Sequence, residues 1–228
     1  MKPVHVENDQ RVSAAMRTSE RAQLLALIAI VGSIFFLVSV VILHLLRPDN
    51  DPITAFISYY AVGPYGFLMT AAFLALGVSA LALAAGLARA VTPSRWLWGG
   101  VFLLSVYAIG TCMLGIFTTD PIGNDSPPTT TGTIHGIAVL PTYLSIIIAA
   151  LLLPQAYKHD EHWRMFYRTA VALGFVVLSS VVAVGLAGEQ WGGLGQRMLI
   201  TTHLVWLIGT ALKFYRTTKA NQVTAVRR

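Results

Sequence analysis

Six apolar stretches, each long enough to cross a bilayer, occupy most of the 228 residues and leave little else for the chain to become. They run over about 22–46, 65–90, 96–117, 133–155, 166–188 and 195–215. A hydrocarbon core about 30 Å thick needs roughly 20 helical residues at about 1.5 Å each, and all six reach that length. Apolar residues make up 55% of the chain and charged ones 11%, against roughly a quarter charged in soluble domains. The expected fold is an all-α integral membrane bundle of six transmembrane helices. A cytoplasmic segment over 1–21 precedes the domain at 22–215, and a basic cytoplasmic tail over 216–228 follows it.

Charge sets the orientation. Lys2, Arg11, Arg17 and Arg21 precede the first span, Arg89 and Arg95 join the second to the third, and Lys158, Arg164 and Arg168 join the fourth to the fifth. Lys213, Arg216, Lys219, Arg227 and Arg228 end the chain, so 14 of the 16 Lys and Arg fall on one side. Only Arg47 and Arg197 are left for the other. Basic residues near span ends resist translocation, so both termini are expected in the cytoplasm and the protein in the plasma membrane as a multi-pass chain. Asp49, Asp51, Asp120, Asp125 and Glu189 gather on the opposite face. The net charge of +6 is then topological, with anionic lipid as the partner and no need for nucleic acid. The first stretch is too long for a signal h-region and reads as a retained anchor. Cys112 is the single cysteine, which excludes an intramolecular disulfide and suits a small buried hydrophobe.

Local signals refine this picture. Ala71, Ala75, Ala82 and Gly86 give the second span small-residue spacings that let helices approach closely. Pro141 should kink the fourth span and free the carbonyl of Ile137, with Thr142 or a neighbouring helix to satisfy it. In loop one (47–64), Asp51-Pro52 reads as an N-cap and first helical residue, with Ile53, Phe56, Ile57 and Tyr60 on one face of a short helix. The 118–132 segment, rich in Thr, Pro and Gly, reads as a turn-rich loop or a lid.

The residues that could carry chemistry lie mostly toward the non-cytoplasmic side: His44, Arg47, Ser58, Asp120, His135 and Arg197. Ionisable groups in or beside a span are costly, which makes them functional candidates. Asp120 and His135 form a candidate acid/base pair, since an oriented imidazole moves protons near neutral pH. Arg197, preceded by Gly192-Gly193-Leu194-Gly195, suits an anionic head group at a helix start, with Arg47 and Ser58 as further substrate contacts. Whether a metal or any other cofactor is present stays open; His44, His135 and Asp120 would be the ligands, although no paired-histidine spacing supports them. His203 is different. Six residues beyond Arg197, it sits about 9 Å deeper, near the midplane.

At these positions the chain resembles a widespread bacterial six-helix membrane family known as a domain of unknown function. The likeness rests on Leu46-Arg47-Pro48 and Ile57-Ser58, Phe117-Thr118-Thr119-Asp120-Pro121, Gly132-Thr133-Ile134-His135-Gly136 and Gly195-Gln196-Arg197. It implies a compact bundle with an outward site around Asp120, His135 and Arg197; Tyr59 departs from the acidic residue that relatives carry after the loop-one serine. The functional expectation is a pocket that binds, and in its fuller form alters, a lipid or lipid-linked anion. The rival is a non-catalytic small transporter or accessory subunit with protein partners or a second copy of itself. On the first reading, His135→Ala and Asp120→Asn abolish turnover with membrane insertion intact, and unchanged lipid composition in a deletion strain, read by mass spectrometry, counts against it.

Overall fold

A computed structural model describes residues 4–121 and 127–226, and the described residues contain helices and connections but no strand. The helices are α1 (Val4–Leu46), α2 (Gly66–Ala90), α3 (Arg95–Ile116), α4 (Thr130–Tyr157), α5 (Tyr167–Ala187) and α6 (Gly192–Val226). All six are long and apolar enough to cross a membrane. Helix is the form such segments must take, because lipid offers no partner to backbone N–H and C=O groups. The spans fall within a few residues of the expected ones. α1 and α6 run on unbroken past 22 and 215, so the N-terminal segment continues α1 and the start of the tail continues α6.

Each helix packs on its neighbours in sequence, and α6 returns to α1, which closes the bundle into a ring; α2 also reaches α6. An even number of spans puts both termini at one end. There Ser19 Oγ donates to the Thr218 carbonyl (3.1 Å) and Gln23 Nε2 to Gln222 Oε1 (2.6 Å). Small residues set the spacing. A side chain at Gly77 would run into the Cys112 thiol, and one at Gly86 into the Phe214 ring of α6. The second span's small face and the lone cysteine are therefore packing devices, as expected in lipid. α4 passes through Pro141 without interruption. The Thr142 hydroxyl donates to the Ala138 carbonyl (2.6 Å) and not to that of Ile137, the partner expected from the sequence.

The termini end is fastened by a residue to which the sequence drew no attention. Asp160, 5% exposed, lies in the α4–α5 connection. Its Oδ2 accepts from Thr92 N and Oγ1 (both 2.8 Å), and its Oδ1 from His162 N (2.9 Å) and Trp163 N (3.2 Å). Trp163 in turn donates to the Ala90 carbonyl (3.2 Å), stacks on Tyr157 at 4.8 Å and lies under Lys213 Nζ at 5.7 Å. One carboxylate thereby ties the α2–α3 connection to the α4–α5 connection beside α6. Burial pushes its carboxyl up, but the hydrogen bonds from Thr92, His162 and Trp163 outweigh burial and hold its pKa below the ordinary 3.8. A depressed pKa contributes stability above the unfolded value and loses it as pH falls through the folded one. Asp160→Ala, which leaves buried N–H groups unpaired, should cost about 1–3 kcal/mol in detergent melts, and the deficit should shrink as pH drops below 3.8.

Candidate functional site

At the other end, the 47–65 connection folds back over the bundle and is held at several points. Arg47 closes its base: Nε and Nη2 donate to the Asp49 carboxylate (2.7–3.0 Å), and Nη1 to the carbonyls of Val62 (2.7 Å) and Pro64 (3.0 Å). The pairing holds the Arg47 guanidinium above its ordinary pKa and the Asp49 carboxyl below its own. Asp51 does cap a turn, through Ile53 N (3.0 Å) and Thr54 Oγ1 (3.1 Å), but only one turn follows. The helix expected from Pro52 begins instead at Ile57, as a 3-10 segment over Ile57–Ala61 with Ser58 and Tyr60 buried. The reason is a long-range competitor for the backbone: α6 takes it over.

Three contacts from the start of α6 make that grip. Leu194 N donates to the Ile53 carbonyl (2.9 Å), Gln196 Oε1 accepts from Ile57 N (2.6 Å), and Arg197 Nη1 donates to the Ala55 carbonyl (2.6 Å). Gly193 is needed because a Cβ there would strike the Ala55 backbone. Gln196 also donates to the Tyr143 hydroxyl (3.3 Å), which reaches α4.

Arg197 is the centre of this cluster. Its Nε donates to His44 Nε2 (2.9 Å), Nη1 also to the Gly193 carbonyl (3.0 Å), and Nη2 to the Tyr60 hydroxyl (3.3 Å). His44 Nδ1 lies 2.6 Å from the Val40 carbonyl. A carbonyl only accepts, so Nδ1 carries the proton and the imidazole facing Arg197 is neutral. All these partners are uncharged: a half-buried guanidinium has no carboxylate beside it among the described residues.

The α3–α4 corner is a separate assembly. Asp120 accepts from Thr129 N (3.1 Å) and Thr129 Oγ1 (2.6 Å), and Thr129 caps α4 by accepting from Gly132 N (3.0 Å). Gly132 leaves room for the carboxylate, which a Cβ would strike. His135 Nδ1 lies 2.8 Å from the Phe117 carbonyl, the C-cap of α3. Asp120 and His135 thus share a corner without bonding to each other, and neither bonds to Arg197. No three His, Cys, Asp or Glu side chains among the described residues are grouped to hold a metal, so His44, His135 and Asp120 do not form the expected ligand set. Asp125, in the 118–132 segment read as loop or lid, lies outside the described residues, as does the Glu189 side chain.

The family model described as a protein of unknown function, DUF998, matches residues 30–213. The chain belongs to that family. No curated protein matches it, and no solved structure does. The matched DUF998 region contains every contact of the Arg197 cluster and of the α3–α4 corner described above.

This DUF998 bundle also holds polar groups at its centre. His203 is 1% exposed, with the Tyr107 ring edge-on at 6.2 Å and the Tyr143 ring at 5.8 Å. Neither ring nitrogen has a hydrogen-bond partner; the same holds for Trp206 Nε1 and Thr210 Oγ1, also buried. Each such group costs about 1–3 kcal/mol if left unpaired. Of the residues that matter here, Tyr143 escaped the sequence reading, while Tyr60 entered it as part of a helix face in loop one and Gln196 as part of a motif. The only signal for Gln196 was its place between Gly195 and Arg197.

Loop one should open locally if its grip is removed. Losing a hydrogen bond to a charged group costs about 1.5–3 kcal/mol, roughly ten- to a hundredfold in opening. Amide exchange over 53–61 should rise by that factor in Arg197→Ala and less in Gln196→Leu. Asp120→Ala should leave it unchanged and raise exchange over 127–133 instead.

Proposed function

We propose that this six-helix membrane protein binds an anionic lipid head group, or a lipid-linked anion, against Arg197 at its loop-one end. The supporting observation is the unbalanced charge: a half-buried guanidinium whose described partners are two carbonyls, a phenol and a neutral imidazole. A cation withdrawn from water attracts a counter-ion strongly, and among the described residues this cluster has no anionic partner. Of the five guanidinium N–H groups, these four bonds leave one on Nη2, which suits a phosphate or carboxylate oxygen. Arg197 lies five residues into α6, about 8 Å from its first residue, a depth suited to a lipid head group. The positive end of the helix dipole adds to the attraction. On the orientation predicted by the basic residues, this end faces away from the cytoplasm.

The reading is one of binding rather than turnover. Asp120 and His135 are engaged in closing the α3–α4 corner, and Arg47 spends its donors on Asp49 and loop-one carbonyls. Ser58 lies under the same loop, within the 3-10 segment that the Arg197 cluster holds down.

Native mass spectrometry of the protein in mild detergent tests this directly. Wild type should carry anionic phospholipid that Arg197→Gln loses and Asp120→Asn retains. An identical lipid complement in wild type and Arg197→Gln would refute the proposal.

A further inference from the structure

A different face of α6 carries a second, independent feature. Gln196, His203, Trp206, Thr210 and Lys213 follow one another at steps of seven, three, four and three residues, which places them along one side of the helix. The 17 steps from Gln196 to Lys213 span about 26 Å at about 1.5 Å each, close to the roughly 30 Å of the hydrocarbon core. One end is wired to loop one, where Gln196 accepts from Ile57 N and donates to the Tyr143 hydroxyl. The middle is His203 between the rings of Tyr107 and Tyr143. The other end is Lys213 over Trp163, in the assembly built on Asp160.

Along this face four polar atoms are buried without partners: both nitrogens of His203, Trp206 Nε1 and Thr210 Oγ1. Thr210 stands apart from its neighbours. The hydroxyls of Thr201, Thr202, Thr217 and Thr218 all bond back to α6 carbonyls, whereas that of Thr210 does not. Residues facing lipid or packed dry would not be chosen this way, since each orphan polar group in hydrocarbon is costly.

We propose that this face of α6 is a hydrated proton path across the membrane, with His203 as its relay. Water is the occupant that suits the set: it donates and accepts, and it satisfies orphan groups two or three at a time. The relay needs a group that takes a proton on one atom and gives one from another, and the two ring nitrogens of an imidazole do this. Its surroundings leave the role to His203. The stretches 22–43 of α1, 66–88 of α2 and 169–187 of α5 contain no titratable residue. α3 offers Tyr107 and Cys112, the latter packed against Gly77 of α2. α4 offers Tyr143, with His135 engaged at the α3 end and Tyr157 under Trp163. Tyr59 and Tyr60 belong to the loop-one segment, and Asp160 and Lys213 lie at the far end; the side chain of Glu189, in the connection before α6, is outside the described residues. In the relay step one ring nitrogen accepts a proton from water while the other releases one, and tautomer exchange or ring rotation restores the start. Nothing else is consumed.

The test is proton flux through the full-length protein in phosphatidylcholine–phosphatidylglycerol vesicles with a trapped pH dye, driven by a potassium gradient and valinomycin. Wild type should change the internal pH several-fold faster than protein-free vesicles. His203→Phe and His203→Gln should return the rate to that of empty vesicles, the second because it hydrogen-bonds but does not titrate. A wild-type rate equal to empty vesicles, or an undiminished rate in a folded variant, overturns the proposal. If neither variant folds, nitrogen-15 histidine spectra of wild type decide: water exchange at the His203 ring supports the path, and a dry ring overturns it. His203→Gln should keep the anionic phospholipid that Arg197→Gln loses, which separates this result from the fate of the head-group site.

Discussion

A bilayer interior offers no hydrogen-bond partner, and that one lack governs where this chain keeps its polar residues. Six apolar helices satisfy their own backbones and can be long and plain. The connections cannot, because each exposes carbonyls and N–H groups at the edge of the hydrocarbon. The answer in each case is a side chain that reaches back into the connection. Arg47, Gln196 and Arg197 serve loop one, Asp120 with Thr129 serves the α3–α4 corner, and Asp160 serves the termini end. Charged residues next to the spans are thus mostly structural fastenings, and function has to be sought where a fastening is incomplete.

The spans were legible because their signal is local: long apolar runs and the bias of Lys and Arg. The site was legible as a roster but not as a set of pairs. Asp120, His135 and Arg197 stand out for the same reason, being ionisable beside a span, yet they sit in two separate assemblies. His44 and Arg197 are 153 residues apart and meet only because α6 closes the ring on α1. Nothing in the composition of either segment announces that. Loop one shows the same limit at shorter range. Asp51-Pro52 is sound local chemistry for a helix start, and Asp51 does cap a turn, but Leu194, Gln196 and Arg197 take the Ile53 and Ala55 carbonyls and the Ile57 N–H. Tertiary contacts override the local preference.

Asp160 was overlooked for the opposite reason. It stands among Lys158, His159, Glu161 and His162, in a stretch that reads as solvated charge. Its burial arises from Thr92, which arrives from the α2–α3 connection, and from Trp163 of its own connection, which folds back onto Ala90. His203 was the easier case, because depth follows from counting residues from a span end. Its neighbours, the Tyr107 and Tyr143 rings, required the ring closure of the bundle to become known.

The Arg197 cluster and the unpartnered group around His203 both lie on α6, and Gln196 touches the surroundings of each. Its carbonyl oxygen holds the first residue of the 3-10 segment, its amide holds Tyr143, and the Tyr143 ring faces His203. Arg197, the next residue, grips the same loop through Ala55. Any occupant that draws Arg197 toward itself competes with the Ala55 carbonyl, and relaxing that grip loads the neighbouring Gln196 bond. Displacing Gln196 in turn frees the Tyr143 hydroxyl to turn toward the imidazole. The two sites are therefore not merely adjacent on one helix. They share a two-bond linkage through a single amide side chain, which joins loop one to the polar centre of the bundle.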